Sequence, residues 1–381
     1  MTDDAIAALI SELDLDEETG ALLHRYGFDA ETFTTLRRRL KSGEAGPEAN
    51  RIRGEVRPPG DDDVSPLPPR GSDARAALTD RGLEAIRAGH VGMVTLAGGM
   101  ATRFGGVVKA AVDAVDGHSF LALKLRDVER LAERTDATVP AYLMTSFATH
   151  DEVTRLGGEM STERAPVTAF PQFISLRLTP DGALFRDAAG EPSPYAPGHG
   201  DLPFALRRAS LLRDFRAAGG RLLYMSNVDN LGATLDPAVI GHHLESGCQV
   251  TAEVVAKHPG DKGGAPARVD GDLQIVEAFR FPDGFDQDTI GVFNTNSFVL
   301  DAAALEQDFA LSWFAVNKKV EGRDAVQFER LVGQVTAFLP TAFVQVERSG
   351  TDGRFQPVKD PDELARRRPE IRELLQARGV L

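Results

Sequence analysis

The stretch "VTLAGGMATRFGGVVKA", Val94 to Ala110, follows a short apolar run with the glycine pairs Gly98-Gly99 and Gly105-Gly106 and the cations Arg103 and Lys109. A glycine-rich turn leaving a buried strand brings backbone N–H groups close to phosphate oxygens, and cations complete the charge balance. The alternative is a tight strand-to-helix turn with Arg103 on the surface. Two familiar phosphate loops do not fit. Gly99 and Gly105 are followed by Gly106-Val107 rather than by Lys and Ser or Thr, and the paired glycines do not match G-x-G-x-x-G. Any phosphate grip here is of another kind.

Working outward, strand-like and helical runs alternate. "HVGMVTLA" reads as a strand, "SFLALKLRDVERLAER" as a helix, "VPAYLMTSF" as a strand and "THDEVTRLGG" as a helix opened by a Thr149–Glu152 capping box. This alternation implies an α/β fold with a mainly parallel sheet. Pro180-Asp181-Gly182 marks a hairpin, "RLLYMSNVDN" a buried strand with a polar end, and "CQVTAEVVAK", "ARVDGDLQIVEAFRF", "GVFNTNSFVL" and "FVQVERS" further strands. Residues 324–339, "DAVQFERLVGQVTAFL", are expected to be helical. Residues 1–43 carry the apolar stripes of a helical leader, and the Pro-, Gly- and Asp-rich residues 43–70 read as a linker. The expected division is 1–85 for leader and linker, 86–345 for the α/β unit, and 346–381 for a short terminal region with a helix.

The chain has 381 residues, 42% hydrophobic and 26% charged, with a net charge of −14 and a pI near 5.1. Such acidity argues against a broad nucleic-acid footprint, so an anionic ligand must be met by local cations. No apolar run reaches the roughly 20 residues needed to cross a bilayer, and "MTDDAIAALISELD" has no basic leader region. With the single Cys248, these features predict a cytoplasmic protein with no membrane partner.

Ligands of doubly wound sheets sit at the carboxyl ends of strands. Both the opening loop and "SNVDN" meet that condition. Asp229 can hold Mg²⁺ through one carboxylate, or serve as a turn residue. In "YAPGHGDLPFAL", Gly198 and Gly200 can press backbone against a flat base and His199 can donate to phosphate or ribose; the alternative is a helix start with an exposed histidine. Lys257, Lys262, Arg354 and Lys359 are cations near strand ends, each of which could instead lie on a solvated surface. Asn294 and Asn296 alternate along a strand, where their amides can read hydroxyls; the alternative is an edge or turn pair. His242-His243 cannot face one metal from a helix, and neither zinc spacing nor a G-x-S-x-G elbow occurs.

In order, "LAGGMATRFGGVVK", "PQF", "PGHGD", "SNVDNLGATLDP", "EVVAKHPGDKGG", "VEAFRF", "FNTNSF" and "RFQPVK" resemble the UTP-glucose-1-phosphate uridylyltransferase, or UDP-sugar pyrophosphorylase, family from about Gly92 to Asp360. The resemblance implies a nucleotidyltransferase fold, a mixed Rossmann-like sheet flanked by helices, and a reaction in which UTP and a sugar 1-phosphate give UDP-sugar and pyrophosphate. It implies a UTP loop of Leu96, Ala97, Gly98 and Gly99, uracil contacts at Gln172 and Gly200, and a phosphate or ribose contact at His199. Arg103, Lys109, Lys257 and Lys359 would meet phosphates. Asp229 would bind Mg²⁺, and Asn230, Gly264, Glu277, Asn294 and Asn296 would face the sugar. Glucose 1-phosphate is the expected substrate, with N-acetylglucosamine 1-phosphate or several sugars as the alternative. Ala101 and Val108 stand where the family usually has glycine and proline, and the lysine loop is one residue short, leaving open Lys257 against Lys262. A non-catalytic UDP-sugar-binding protein is the reading those departures favour. The chain ends soon after Lys359, short of the β-helix many relatives use to assemble, so a monomer is expected.

Overall fold

The computed structural model describes residues 3–101, 104–261 and 263–381, with side chains from residue 8 onward except that of Ala101. At its centre is an eight-stranded sheet built from β1 (Val64–Pro66), β2 (Val91–Leu96), β3 (Ala141–Thr145), β4 (Val167–Pro171), β5 (Leu222–Asn227), β6 (Val250–Ala256), β7 (Val292–Asp301) and β8 (Thr341–Gln345). The spatial order is β1-β8-β6-β7-β5-β2-β3-β4. Only β7 runs antiparallel to its neighbours; every other pairing is parallel. The nearly continuous burial of β2, β3, β5 and β6 is what a sheet covered on both faces requires.

The helices are α1 (Asp3–Glu12), α2 (Glu17–Arg25), α3 (Ala30–Lys41), α4 (Asp73–Arg87), α5 (Phe120–Thr135), α6 (His150–Met160), α7 (Leu202–Arg208), α8 (Leu211–Ala217), α9 (Pro237–Ser246) and α10 (Pro361–Ala377). Among the described residues no helix is long and apolar enough to cross a membrane. The leader helices bury Leu23, Phe28, Phe33 and Leu36 against Ile174, Leu178, Val326 and Phe328, so the leader packs directly on the α/β unit.

Three local expectations fail for identifiable reasons. Residues 43–70 are no free linker: Val56–Arg57 pairs with Ala265–Val269, and β1 adds to β8 as an edge strand, where prolines are tolerated. Residues 324–339 are not a helix. Arg323–Glu329 forms a strand paired with Phe314–Val320, and Val332–Ala337 is a 3₁₀ turn. Val326 and Phe328, two residues apart, both enter the leader's core, so a period of two prevails over helical spacing. At α6, Thr149 makes no capping bond; its Oγ1 instead accepts from Ser146 N at 3.0 Å and donates to the Ala97 carbonyl at 3.1 Å. The hairpin turn at Pro180–Gly182 forms as expected, with Thr179 N donating to the Ala183 carbonyl.

Candidate active site

The opening loop leaves β2 at the carboxyl end of the sheet. Ala97 is buried, and its N–H donates to the Met144 carbonyl at 2.8 Å, extending the β2–β3 pairing by one residue beyond Leu96. A Cβ on Gly98 would lie 2.5 Å from Gln172 Nε2 and 3.1 Å from Ser146 N, so only glycine admits this approach. Gln172, just past β4, is buried, and its Oε1 has no hydrogen-bond partner. A buried acceptor without a donor costs free energy unless a ligand supplies one, and the imide N–H of a base has the required chemistry. Gly99 faces open space, and its carbonyl accepts the Lys109 N–H at 3.2 Å. Met100–Ala101 and Val107–Val108 then form a short antiparallel pair. Arg103 lies outside the described residues, as does Lys262.

His199 accepts the Val332 N–H on Nδ1 at 3.0 Å, which leaves the proton on Nε2. Burial lowers its pKa to about 4, with Glu329 pulling weakly the other way, so the ring is a neutral donor at physiological pH. Gly200 presses toward Arg330 and Leu331, where a Cβ would come within 2.5 Å of backbone atoms. Its lack of a side chain is required by this loop packing.

Asp229, two residues beyond β5, forms an ion pair with Lys109, whose side chain is similarly shielded. One carboxylate and one ammonium from distant segments thus meet at the strand ends. Asn230 departs from the expected sugar contact: it is buried, donating to the Arg354 carbonyl at 3.1 Å and accepting the Gln356 N–H at 2.8 Å, so its amide is spent clamping that segment. Beneath this loop Lys124 Nζ donates to Ser226 Oγ at 3.0 Å and the Ala233 carbonyl at 2.6 Å. Burial lowers its pKa to about 7 against the pull of Asp127. Sequence reading missed Lys124, although a lysine between Leu121 and Val128 on the apolar stripe of α5 was the available signal. Among the described residues no three His, Cys, Asp or Glu side chains gather as a metal cage. Asp229 alone suits a magnesium ion held chiefly by phosphate oxygens and water.

On the other side of β5, Asn296 Nδ2 donates to Asn227 Oδ1 at 3.0 Å. The expected simple alternation of Asn294 and Asn296 is interrupted by a bulge opposite Glu253 and Val254, which puts Asn296 at φ 57° with its N–H on Asn294 Oδ1. Asn294 N donates to the Gly264 carbonyl at 2.8 Å, and a Cβ on Gly264 would sit 3.0 Å from Glu277 Oε1. Burial pushes Glu277 up to about 7; Arg280 opposes this and Glu329 adds to it. Gly264, Asn294, Asn296 and Asn227 thus run toward the Asp229–Lys109 pair, and Gly99, Gly98 and Gln172 continue beyond it. Lys257 stands apart, donating to the Gln287 carbonyl at 2.7 Å and Asp288 Oδ1 at 2.9 Å. Lys359 is exposed just before α10. Arg354 is no ligand-facing cation: it is buried in a two-point pair with Glu253 and donates to Tyr224 and Thr234.

A mixed α/β sheet with a glycine turn, a buried amide and a Lys–Asp pair at its strand ends defines the nucleotide-binding class. Within it, the chain belongs to the UTP–glucose-1-phosphate uridylyltransferase family, whose model matches residues 60–375. It is 28% identical to the UTP–glucose-1-phosphate uridylyltransferase of Hordeum vulgare over 87% of this chain and 71% of that protein. It is 31% identical to that of Saccharomyces cerevisiae over 71% of this chain, spanning 58% of the yeast protein. Among solved structures, the uridine diphosphate N-acetylglucosamine pyrophosphorylase of Trypanosoma brucei superposes with a TM-score of 0.76 at 22% identity, covering 96% of this chain and 81% of that one. A UDP-glucose pyrophosphorylase mutant of Leishmania major in complex with UDP-glucose gives 0.68 at 20%, covering 95% and 78%. These last two show the shared fold.

Proposed function

We propose that the chain transfers a uridylyl group from UTP to glucose 1-phosphate, releasing pyrophosphate, in the cytoplasm. The observation that carries the reading is the Lys109–Asp229 pair at the sheet's strand ends, between the Gln172–Gly98 slot and the Asn227–Asn296 amides. The slot takes uracil, with Gln172 Oε1 accepting the base imide, and His199 Nε2–H serves phosphate or ribose. Asn294, Asn296, Gly264 and Glu277 face the sugar, Lys257 or Lys262 serves its phosphate, which for Lys257 requires leaving Asp288, and Arg103 and Lys359 meet the phosphates of UTP.

The sugar phosphate is already an anionic nucleophile. Its oxygen bonds to the α-phosphorus as the bond to pyrophosphate breaks, and no proton need move. The obstacle is bringing two polyanions together, which Lys109 answers with fixed positive charge. Asp229 would hold Mg²⁺, which supplies charge neutralisation at the phosphates. Pyrophosphate release from UTP and Mg²⁺ with a panel of sugar 1-phosphates tests the reading. Glucose 1-phosphate should give the fastest turnover, and Asp229→Ala and Lys109→Ala should each lose about 100-fold or more. No release with any sugar, despite measurable UDP-glucose binding, overturns it in favour of a binding protein.

A further inference from the structure

The corner between α2 and α3 touches two of the loops that line the nucleotide slot. Tyr26 meets Phe147 and His150 edge-on, with ring centroids 6.3 and 6.2 Å away, on the segment after β3. Its carbonyl accepts from Arg208 Nη1 at 2.8 Å, while Arg208 Nη2 donates to the Pro171 carbonyl at 3.0 Å, one residue before Gln172. The same guanidinium lies 4.4 Å over Phe173, the residue after Gln172. Arg208 is a two-pronged link between leader and base slot.

Arg330 braces the slot from its other side, without a bond to the leader among the described residues. Its Nε donates to Asp201 Oδ1 at 2.6 Å, and Asp201 Oδ2 accepts the Phe173 N–H at 2.9 Å. Its backbone N–H donates to the Pro197 carbonyl, and its own carbonyl accepts the Gly200 N–H, each at 2.9 Å. The guanidinium lies 4.3 Å over Phe204 and 4.6 Å over Trp313. Between this cluster and Phe33 and Leu36 of the leader lies a cavity of about 290 Å³. A fully buried Asp201 is maintained only with such partners, because a desolvated carboxylate without a cation is costly.

We propose that Arg208 and Arg330 are positioning residues for uracil recognition: Arg208 holds the Gln172 segment against the helical leader as an abutment, and Arg330 holds the His199–Gly200 loop to Asp201 and Phe173. This rests on the reading of the slot as the UTP site. Neither arginine need touch the nucleotide. A planar fork bonded to two carbonyls fixes the distance between them, whereas a lysine can serve only as a point charge. Loosening the fork frees Gln172 to drift and so weakens its hydrogen bond to the base.

The test uses the whole chain. Calorimetric titration with UTP and with CTP, and steady-state kinetics with glucose 1-phosphate, are measured for wild type, Arg208→Ala, Arg208→Lys, Arg330→Lys and the control Arg213→Ala. Arg213 sits exposed on α8, paired with its neighbour Asp214. Arg208→Ala should weaken UTP about tenfold, the worth of one hydrogen bond, with little effect on CTP, so discrimination between the bases collapses. KM for UTP should rise more than kcat falls, KM for glucose 1-phosphate should stay put, Arg208→Lys and Arg330→Lys should fall between, and Arg213→Ala should match wild type. Unchanged UTP-to-CTP discrimination in a folded Arg208→Ala overturns the proposal, as does equal weakening of UTP and glucose 1-phosphate. A wild-type chain that binds UTP no better than CTP contradicts the proposed function itself.

Discussion

Glu277 lies beside Gly264, next to the proposed sugar site. Burial first, with Glu329 adding and Arg280 opposing, pushes its carboxyl up to about 7, so below that pH it donates and above it only accepts. KM for glucose 1-phosphate should shift between about pH 6 and pH 8, and Glu277→Gln should flatten that profile. Glu277 and His199 carry opposite stability linkages. The unfolded chain loses the Glu277 proton near 4.5 while the folded chain keeps it to about 7, so stability falls as pH rises through that window. His199 ordinarily titrates near 6.5 but is held to about 4 by burial, so stability falls as pH drops from 6.5 toward 4. The two windows overlap between about pH 4.5 and 6.5 and offset one another there, so urea titrations should show stability rising with pH across that range in Glu277→Gln and falling with pH in His199→Asn. Arg354 illustrates the limit of reading letters. In "RFQPVKD" it is one cation beside Lys359, yet the fold buries it against Glu253. Nothing local in the chain reveals a partner 101 residues away. Arg354→Ala should cost about 3–5 kcal/mol in chemical denaturation by stranding Glu253; a loss below 1 kcal/mol contradicts the buried pair.

At the scale of elements, the strand-to-turn periodicities at β2, β3 and β5 were legible because a strand buried on both faces is a short apolar run with a polar end. The hairpin strand at 323–329 was not, because its length and its charged flanks fit an amphipathic helix equally well until the leader's core is known. The edge strand β1 was hidden by its proline content for a similar reason. Its partner, β8, lies far along the chain. Packing of α4 on α9 is another long-range fact: a Cβ on Gly82 would fall 1.8 Å from the Pro237 carbonyl oxygen, and one on Gly241 1.9 Å from that of Leu78. Gly241→Ala should therefore destabilise by about 1–3 kcal/mol through overpacking, although alanine favours helices; an unchanged denaturation midpoint contradicts so close a crossing.

Across the whole molecule, an acidic chain with a net charge of −14 places Lys109 at the strand ends, paired with Asp229. The family itself was legible in the order of its motifs. The supports beneath them, Lys124, Asp201, Arg208 and Arg330, were not, since each acts through partners that only the fold assembles. Both classes of residue serve one proposed reaction, transfer of the uridylyl group of UTP to a sugar phosphate with release of pyrophosphate. The most direct measurement is ³¹P NMR of the chain with UTP, Mg²⁺ and glucose 1-phosphate. The account predicts UDP-glucose and pyrophosphate appearing in equal amounts with wild type, and neither at a comparable rate with Lys109→Ala. UTP and glucose 1-phosphate signals that persist unchanged under conditions where UTP is bound would contradict it.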